Sequence, residues 1–178
     1  MISGKATGYT TAKPLDYKGL LKACEAALNE GGKSIISDFK GATATWEHRP
    51  EFVIRGPFLK KSGGNSVLWI RVEPSTYIDI FTYVNNGTQP HLILPRKGKY
   101  LTYKRDFTPK TEAGSLFSRP GGKSGSYTRR LGVAHPGSEA RNFTVISAAN
   151  HQPWWNSRID RLAYEWGVRA MAGKVTAL

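Results

Sequence analysis

Four histidines, thirteen acidic residues and a dense run of lysine and arginine are the groups in this 178-residue chain with chemical potential. No two of His48, His91, His135 and His151 stand three or four residues apart, the step by which paired histidines on a helix hold a metal. His91 follows Pro90 and His135 precedes Pro136, so both read as turn histidines. The acids Asp38, Glu51, Glu73, Asp79, Asp106, Glu139, Asp160 and Glu165 are scattered, and spacing alone gives no general acid–base pair. Gly121-Gly122-Lys123-Ser124 has the ending of a phosphate-binding loop. It lacks the leading glycine at the required distance and a strand just before it, so it reads as a flexible basic loop. These residues lead to the expectation of a protein that is not an enzyme and has no cofactor or metal.

The cations are a stronger signal. Between positions 96 and 130 stand Arg96, Lys97, Lys99, Lys104, Arg105, Lys110, Arg119, Lys123, Arg129 and Arg130, opposed only by Asp106 and Glu112. This stretch carries a local excess of eight positive charges out of the chain's +13. Tyr100, Tyr103, Phe107, Phe117 and Tyr127 are interleaved with them. Basic and aromatic residues in one loop can grip phosphates and stack on bases, or the loop can be solvated or dock on an acidic partner. No known nucleic-acid-binding motif frames the stretch.

Twenty-six Lys and Arg against thirteen Asp and Glu give a sequence pI near 10.0. Such a field favours polyanions: nucleic acid, an acidic protein surface or membrane headgroups. The single cysteine, Cys24, excludes an intramolecular disulfide and reads as a small apolar residue on a helix. No apolar stretch approaches the roughly 18 residues of a membrane span, and residues 1–13 lack the profile of a signal peptide. The expectation is a soluble chain made in a cytoplasm, with no membrane partner.

Elements must position these groups. Tyr17, Leu20, Leu21, Cys24, Ala27, Leu28, Ile35 and Phe39 recur at three- and four-residue steps. That spacing predicts a helix over about 15–39, with a kink, a break or close packing at Gly31-Gly32. Strands are expected at 51–56, 66–73 and 77–84, short runs rich in β-branched and aromatic residues. In the third, Tyr77, Phe81 and Tyr83 would share a face directed at a second layer or a neighbouring subunit, as would Trp69 in the second. Further strands are expected at 91–94, 100–104 and 129–134. Residues 105–128 read as a long loop without elements. Helices are expected at 140–149 and 153–172, the second with an apolar stripe of Trp155, Ile159, Leu162 and Trp166 and a stop at Gly173. The order helix, strands, helices predicts an α+β fold: an antiparallel sheet packed against an N-terminal helix and C-terminal helices, with a long basic loop. Residues 1–178 read as a single domain with a flexible leader (1–13), the long loop (105–128) and a C-terminal helical extension (150–178).

Taken as one string, Tyr83-Val84-Asn85-Asn86-Gly87-Thr88-Gln89-Pro90-His91 leads to Ile93, Pro95 and Lys99-Tyr100-Leu101. Val133-Ala134-His135-Pro136-Gly137-Ser138-Glu139-Ala140-Arg141-Asn142-Phe143 follows the loop. This resembles the neck and tail-completion family of tailed bacteriophages over about a third of the chain. Each motif also has a folding reason. Gly87 supplies positive φ for a tight turn, Pro136-Gly137 reverses the chain, and Ser138 is placed to cap the next helix, which Phe143, Val145 and Ile146 would anchor.

The resemblance implies a virion structural protein: a homo-oligomeric ring, most often a hexamer, joining the capsid connector to the tail tube around the DNA channel. Its location would be the neck or tail of the virion, after assembly in the host bacterial cytoplasm. Subunits of such a ring meet head to tail. Trp69, Tyr77, Phe81, Tyr83, Trp154 and Trp155 are then the candidate subunit interface. The basic residues of 96–130 would face genomic double-stranded DNA, without sequence specificity, or a neighbouring connector or tail protein. The alternative is a free nucleic-acid-binding module that uses the same basic loop.

Overall fold

The computed structural model describes residues 17–62 and 65–172; the 1–13 leader and the expected stop at Gly173 lie outside them. The first helix, α1, runs Tyr17–Ala42 without interruption. Its adjacent Gly31 and Gly32, both buried, mark close packing and not a break. A Cβ at Gly31 would fall 2.1 Å from Cζ2 of Trp155, and one at Gly32 would fall 2.8 Å from the Ile70 Cδ1 and 2.9 Å from the Ile54 Cδ1. The two glycines therefore give up helix propensity, about 1 kcal/mol each, to admit a second helix and a sheet to the α1 backbone.

Strands β1 (Phe52–Ser62) and β2 (Asn65–Pro74) form an antiparallel ribbon longer than the sequence predicts. The register runs from Phe52 opposite Pro74 to Ser62 opposite Asn65, and it shifts between Arg55 and Phe58, where Pro57 has no N–H to give the ladder. The third expected strand is a helix, α2, spanning Ile78–Asn86. Residues 77–84 have strand-like composition, but tertiary burial decides: Phe81 and Asn85 are buried and Val84 is half-buried, a helical spacing. Tyr77 precedes α2 in the left-handed region at φ 50°.

Strand β3 (His91–Ile93) pairs antiparallel with β6 (Val133–His135), and β4 (Leu101–Thr108) pairs antiparallel with β5 (Gly122–Arg130). Both ends of the stretch expected as a loop are therefore paired strands, and residues 109–121 form the connection between them. The expected strand over 129–134 is split between β5 and β6, with Leu131-Gly132 as the joint. The two expected C-terminal helices are one, α3 (Phe143–Ala172), which passes through Pro153. The α+β class stands, with the strands of the described residues divided among three two-stranded antiparallel ribbons.

The core lies where α1, β1, α2 and the start of α3 meet. Phe39, Ala42, Phe52, Phe81 and Phe143 form it, with Ile35, Ile36, Trp46, Val72, Val84 and Leu116 packed around them. Ring centroids are 5.2 Å apart for Phe39–Phe52, 5.4 Å for Phe39–Phe81, 5.1 Å for Phe52–Phe81 and 6.0 Å for Phe81–Phe143. Each such pair adds about 1 kcal/mol to what area burial supplies. Phe81, expected at a subunit interface, is thus a core residue, 4% exposed. Phe143 anchors α3 as expected, but Val145 points to solvent.

Candidate functional site

The basic stretch becomes a defined surface through the pairing of β4 with β5. Thr102 lies opposite Arg129 and Lys104 opposite Tyr127. Directly paired residues share a face, and residues two apart on a strand share it too, so Lys104, Tyr127 and Arg129 stand together. The Lys104 ammonium lies 5.7 Å from the Tyr127 ring centroid. The Tyr100 ring at the base of the hairpin carries two cations: Arg129 Cζ at 5.1 Å and Lys99 Nζ at 5.7 Å. Tyr100, Arg129, Arg130, Leu131 and Gly132 line a cleft of about 570 Å³ there. Arg96 and Lys97 are exposed on the turn before β4, and Arg105 and Lys123 are exposed along the strands.

Beyond Thr108 the chain does not hang free. Residues 109–121 fold back on the C-terminal end of α1. The Ser118 hydroxyl donates to the Gly41 carbonyl at 3.0 Å and accepts from the Thr45 N–H at 3.2 Å. The Thr45 hydroxyl donates to the Arg119 carbonyl at 3.1 Å, and Leu116 packs on the core. Arg119 ion-pairs with Glu112 and donates from Nε to the Pro109 carbonyl at 3.2 Å, so its guanidinium serves the loop itself. Lys110 is half-buried beside a largely apolar cleft of about 300 Å³ whose lining includes Trp46, Ile80, Val84, Phe107 and Arg141. The structure thus gathers Lys99, Lys104, Arg129 and Arg130 around one hairpin, and sets Lys110 and Arg119 apart in a pinned loop.

The aromatic candidates divide as well. Trp69 is exposed on the β1–β2 ribbon and stacks on Phe58 at 4.4 Å, with Arg71 over it at 5.7 Å. Tyr77, against His48 at 5.1 Å, and Tyr83 are also exposed. Trp155 is half-buried against Gly31, and Trp154, also half-buried, meets it edge-on at 4.9 Å. Phe58, Leu59 and Val67 extend the exposed apolar surface of the ribbon. Sequence reasoning missed Phe58 and Leu59 because it ended the first strand at Gly56.

The string from Tyr83 to Phe143 acts as a double cap. The Arg141 N–H donates to the Val84 carbonyl at 3.1 Å and the Asn142 N–H to the Asn85 carbonyl at 2.9 Å, closing the end of α2. In return Asn85 Oδ1 accepts from the Thr144 N–H at 3.1 Å, supplying the cap of α3 expected from Ser138. Ser138 instead pairs with Thr88, each N–H donating to the other's carbonyl at 3.1 and 2.9 Å. Gly137, at φ 88°, allows this approach, since a Cβ there would fall 2.2 Å from the Thr88 carbonyl oxygen. His91 and His135 stack at 5.0 Å across β3–β6, with a turn bond from the Gly137 N–H to His135 Nδ1 at 3.0 Å.

One further polar cluster joins the long helices. Asp38 Oδ2 accepts from the Ser147 hydroxyl at 2.7 Å and bonds His151 Nε2 at 3.0 Å. Serine and histidine meet the same carboxylate oxygen, so the arrangement is a helix–helix lock and not a nucleophile with its base. Among the described residues no group of three or more His, Cys, Asp and Glu side chains is placed to hold a metal ion, and no helix is long and apolar enough to cross a membrane. In comparison with known proteins, no family model, no curated protein and no solved structure matches the chain.

Proposed function

We propose that this chain is a structural subunit of a closed homo-oligomeric ring, of the kind that joins the capsid connector to the tail in tailed bacteriophages and surrounds the DNA channel. One observation carries the reading. Among the described residues all three β-ribbons are two-stranded, so each strand there offers an edge without a third strand, and the longest ribbon exposes Phe58, Leu59, Val67 and Trp69. A chain left as a monomer would leave these edges and apolar side chains in water, whereas a neighbouring subunit can cover them. The motifs that resemble the neck and tail-completion family fit this role, because they cap and orient helices and gather no reactive groups. In the ring, head-to-tail contacts close by rotation, with connector and tail-tube proteins as the neighbours above and below. The test is sedimentation of the purified chain with and without those neighbours. The expected result is a closed species near six times the 19.7 kDa of the chain, reduced to monomer by Trp69→Glu. A chain that stays monomeric in both conditions and is absent from purified particles overturns the proposal.

The β4–β5 hairpin favours a second reading, contact with nucleic acid, through its clustered cations. The two readings are compatible in a ring whose channel holds DNA.

A further inference from the structure

The β4–β5 hairpin carries its aromatic rings in an unusual state. A ring that stacks on a base must present a free face. Here Tyr100 has Arg129 and Lys99 over it, and Tyr127 has Lys104 over it, although Tyr127 is 71% exposed. The rings act as rests that hold the cations in place. A lysine or arginine held on a ring keeps N–H donors directed outward, and those donors match phosphate oxygens.

From this we infer that the Tyr100–Lys104–Tyr127–Arg129 face is a seat for the phosphate backbone of duplex DNA that reads no bases. Lys104 and Arg129 stand diagonally across the ribbon, one on each strand, and Lys99 and Arg129 flank the Tyr100 ring, so the cations form one compact cluster against which the dense charge of a duplex backbone can lie. No acid opposes them: the segments 99–104 and 127–130 contain none, Glu112 is engaged by Arg119, and Asp106 lies over Gly125 on the tip side of the register shift. The exposed rings without a cation, Phe107 and Phe117, lie at and beyond the tip of the hairpin, away from this face. Duplex DNA is favoured over single strands because it offers the denser line of charge and needs no stacking platform. The inference deepens the DNA contact raised above and rests on that part of the reading. It is tested on the isolated chain, so its failure and the failure of ring assembly are separate results.

Anisotropy titrations with a labelled duplex of about 30 base pairs and a dT strand of equal length, at 50 and 200 mM salt, decide it. The duplex is expected to bind more tightly than dT, with a log–log salt slope of about −3. Lys104→Gln with Arg129→Gln should weaken duplex binding by about tenfold. Lys18→Gln with Lys40→Gln, which remove the same charge from α1, should change it by less than about twofold. Tyr127→Leu should cost about threefold or less, since it removes only the rest beneath Lys104. Tighter binding of dT, lost by about tenfold or more in Tyr127→Leu, would mean base stacking and overturn the inference. Equal losses in the two double variants would mean diffuse charge, and binding to polyglutamate but not duplex would mean an acidic protein partner; each overturns it. Melting curves check that the variants fold, and if the hairpin pair melts early, the wild-type salt slope and strand preference alone decide.

Discussion

A Cβ placed on Gly31 would collide with the Trp155 indole at 2.1 Å, and an indole on a helix has little room to turn aside. The atoms nearest a Cβ at Gly32 belong to the side-chain ends of Ile54 and Ile70, which can shift. Gly31→Ala should therefore destabilise the chain by about 2 kcal/mol in urea unfolding, the cost of overpacking exceeding the gain in helix propensity. Gly32→Ala should come out within about 1 kcal/mol of the parent. An equal loss for both would show that Trp155 yields as readily as the isoleucines. At Asp38, Ser147 is fully buried and bonds the carboxylate. Asp38→Ala leaves that hydroxyl without its acceptor and should cost about 2 kcal/mol, while Ser147→Ala should cost less, because Asp38 keeps His151 and some water. Burial pushes the Cys24 thiol up from its ordinary value. Its contribution to stability is present below the unfolded pKa and is lost as pH rises through the folded one. The same shift predicts that the thiol reacts more slowly at pH 8 in the folded chain than in the unfolded one, as read with a chromogenic thiol reagent.

Between the elements, the Asn85 side chain supports the joint of α2 with α3 alongside the backbone bonds from Arg141 and Asn142. Asn85→Ala removes the acceptor for the Thr144 N–H in a buried place, and should lower stability by about 1–2 kcal/mol. Asn85→Asp should recover most of that loss, since a carboxylate also accepts at a helix start. Ser118→Ala should loosen residues 109–121, detectable as faster amide exchange at Thr45, whose N–H the hydroxyl accepts. These joints also show what was legible in the sequence. Helix α1 and the lines of β1, β2 and β4 follow from periodicity, which local spacing records directly. Helix α2 did not, because Ile78, Ile80 and Tyr83 have strand preferences, and only the burial of Phe81 among Phe39, Phe52 and Phe143 selects the helix. The β5 strand, Gly122–Arg130, is nearly all Gly, Ser, Lys, Arg and Thr, with no apolar alternation to betray a strand exposed on its faces. The charge of the site was visible residue by residue, but the seating of cations on Tyr100 and Tyr127 needed the β4–β5 register.

At the scale of the whole molecule, the charge of +13 makes copies of this chain repel one another. Assembly through the Phe58–Trp69 ribbon should therefore improve with moderate salt, whereas duplex binding by the hairpin should weaken. Measuring both from 50 to about 300 mM salt should give opposite trends, and parallel trends would show that one surface serves both. The double cap has a consequence in time. Asn85 waits for Thr144, 59 positions later, and Asp38 waits for Ser147, 109 positions later. The phenylalanine cluster lacks a member until Phe143 has been synthesised. On the ribosome, α1 and the first ribbon must remain incompletely covered for most of translation, because loop closure over such separations precedes any reward from packing. Nascent chains arrested near residue 140 should be cut readily by protease, and full-length released chains should resist it.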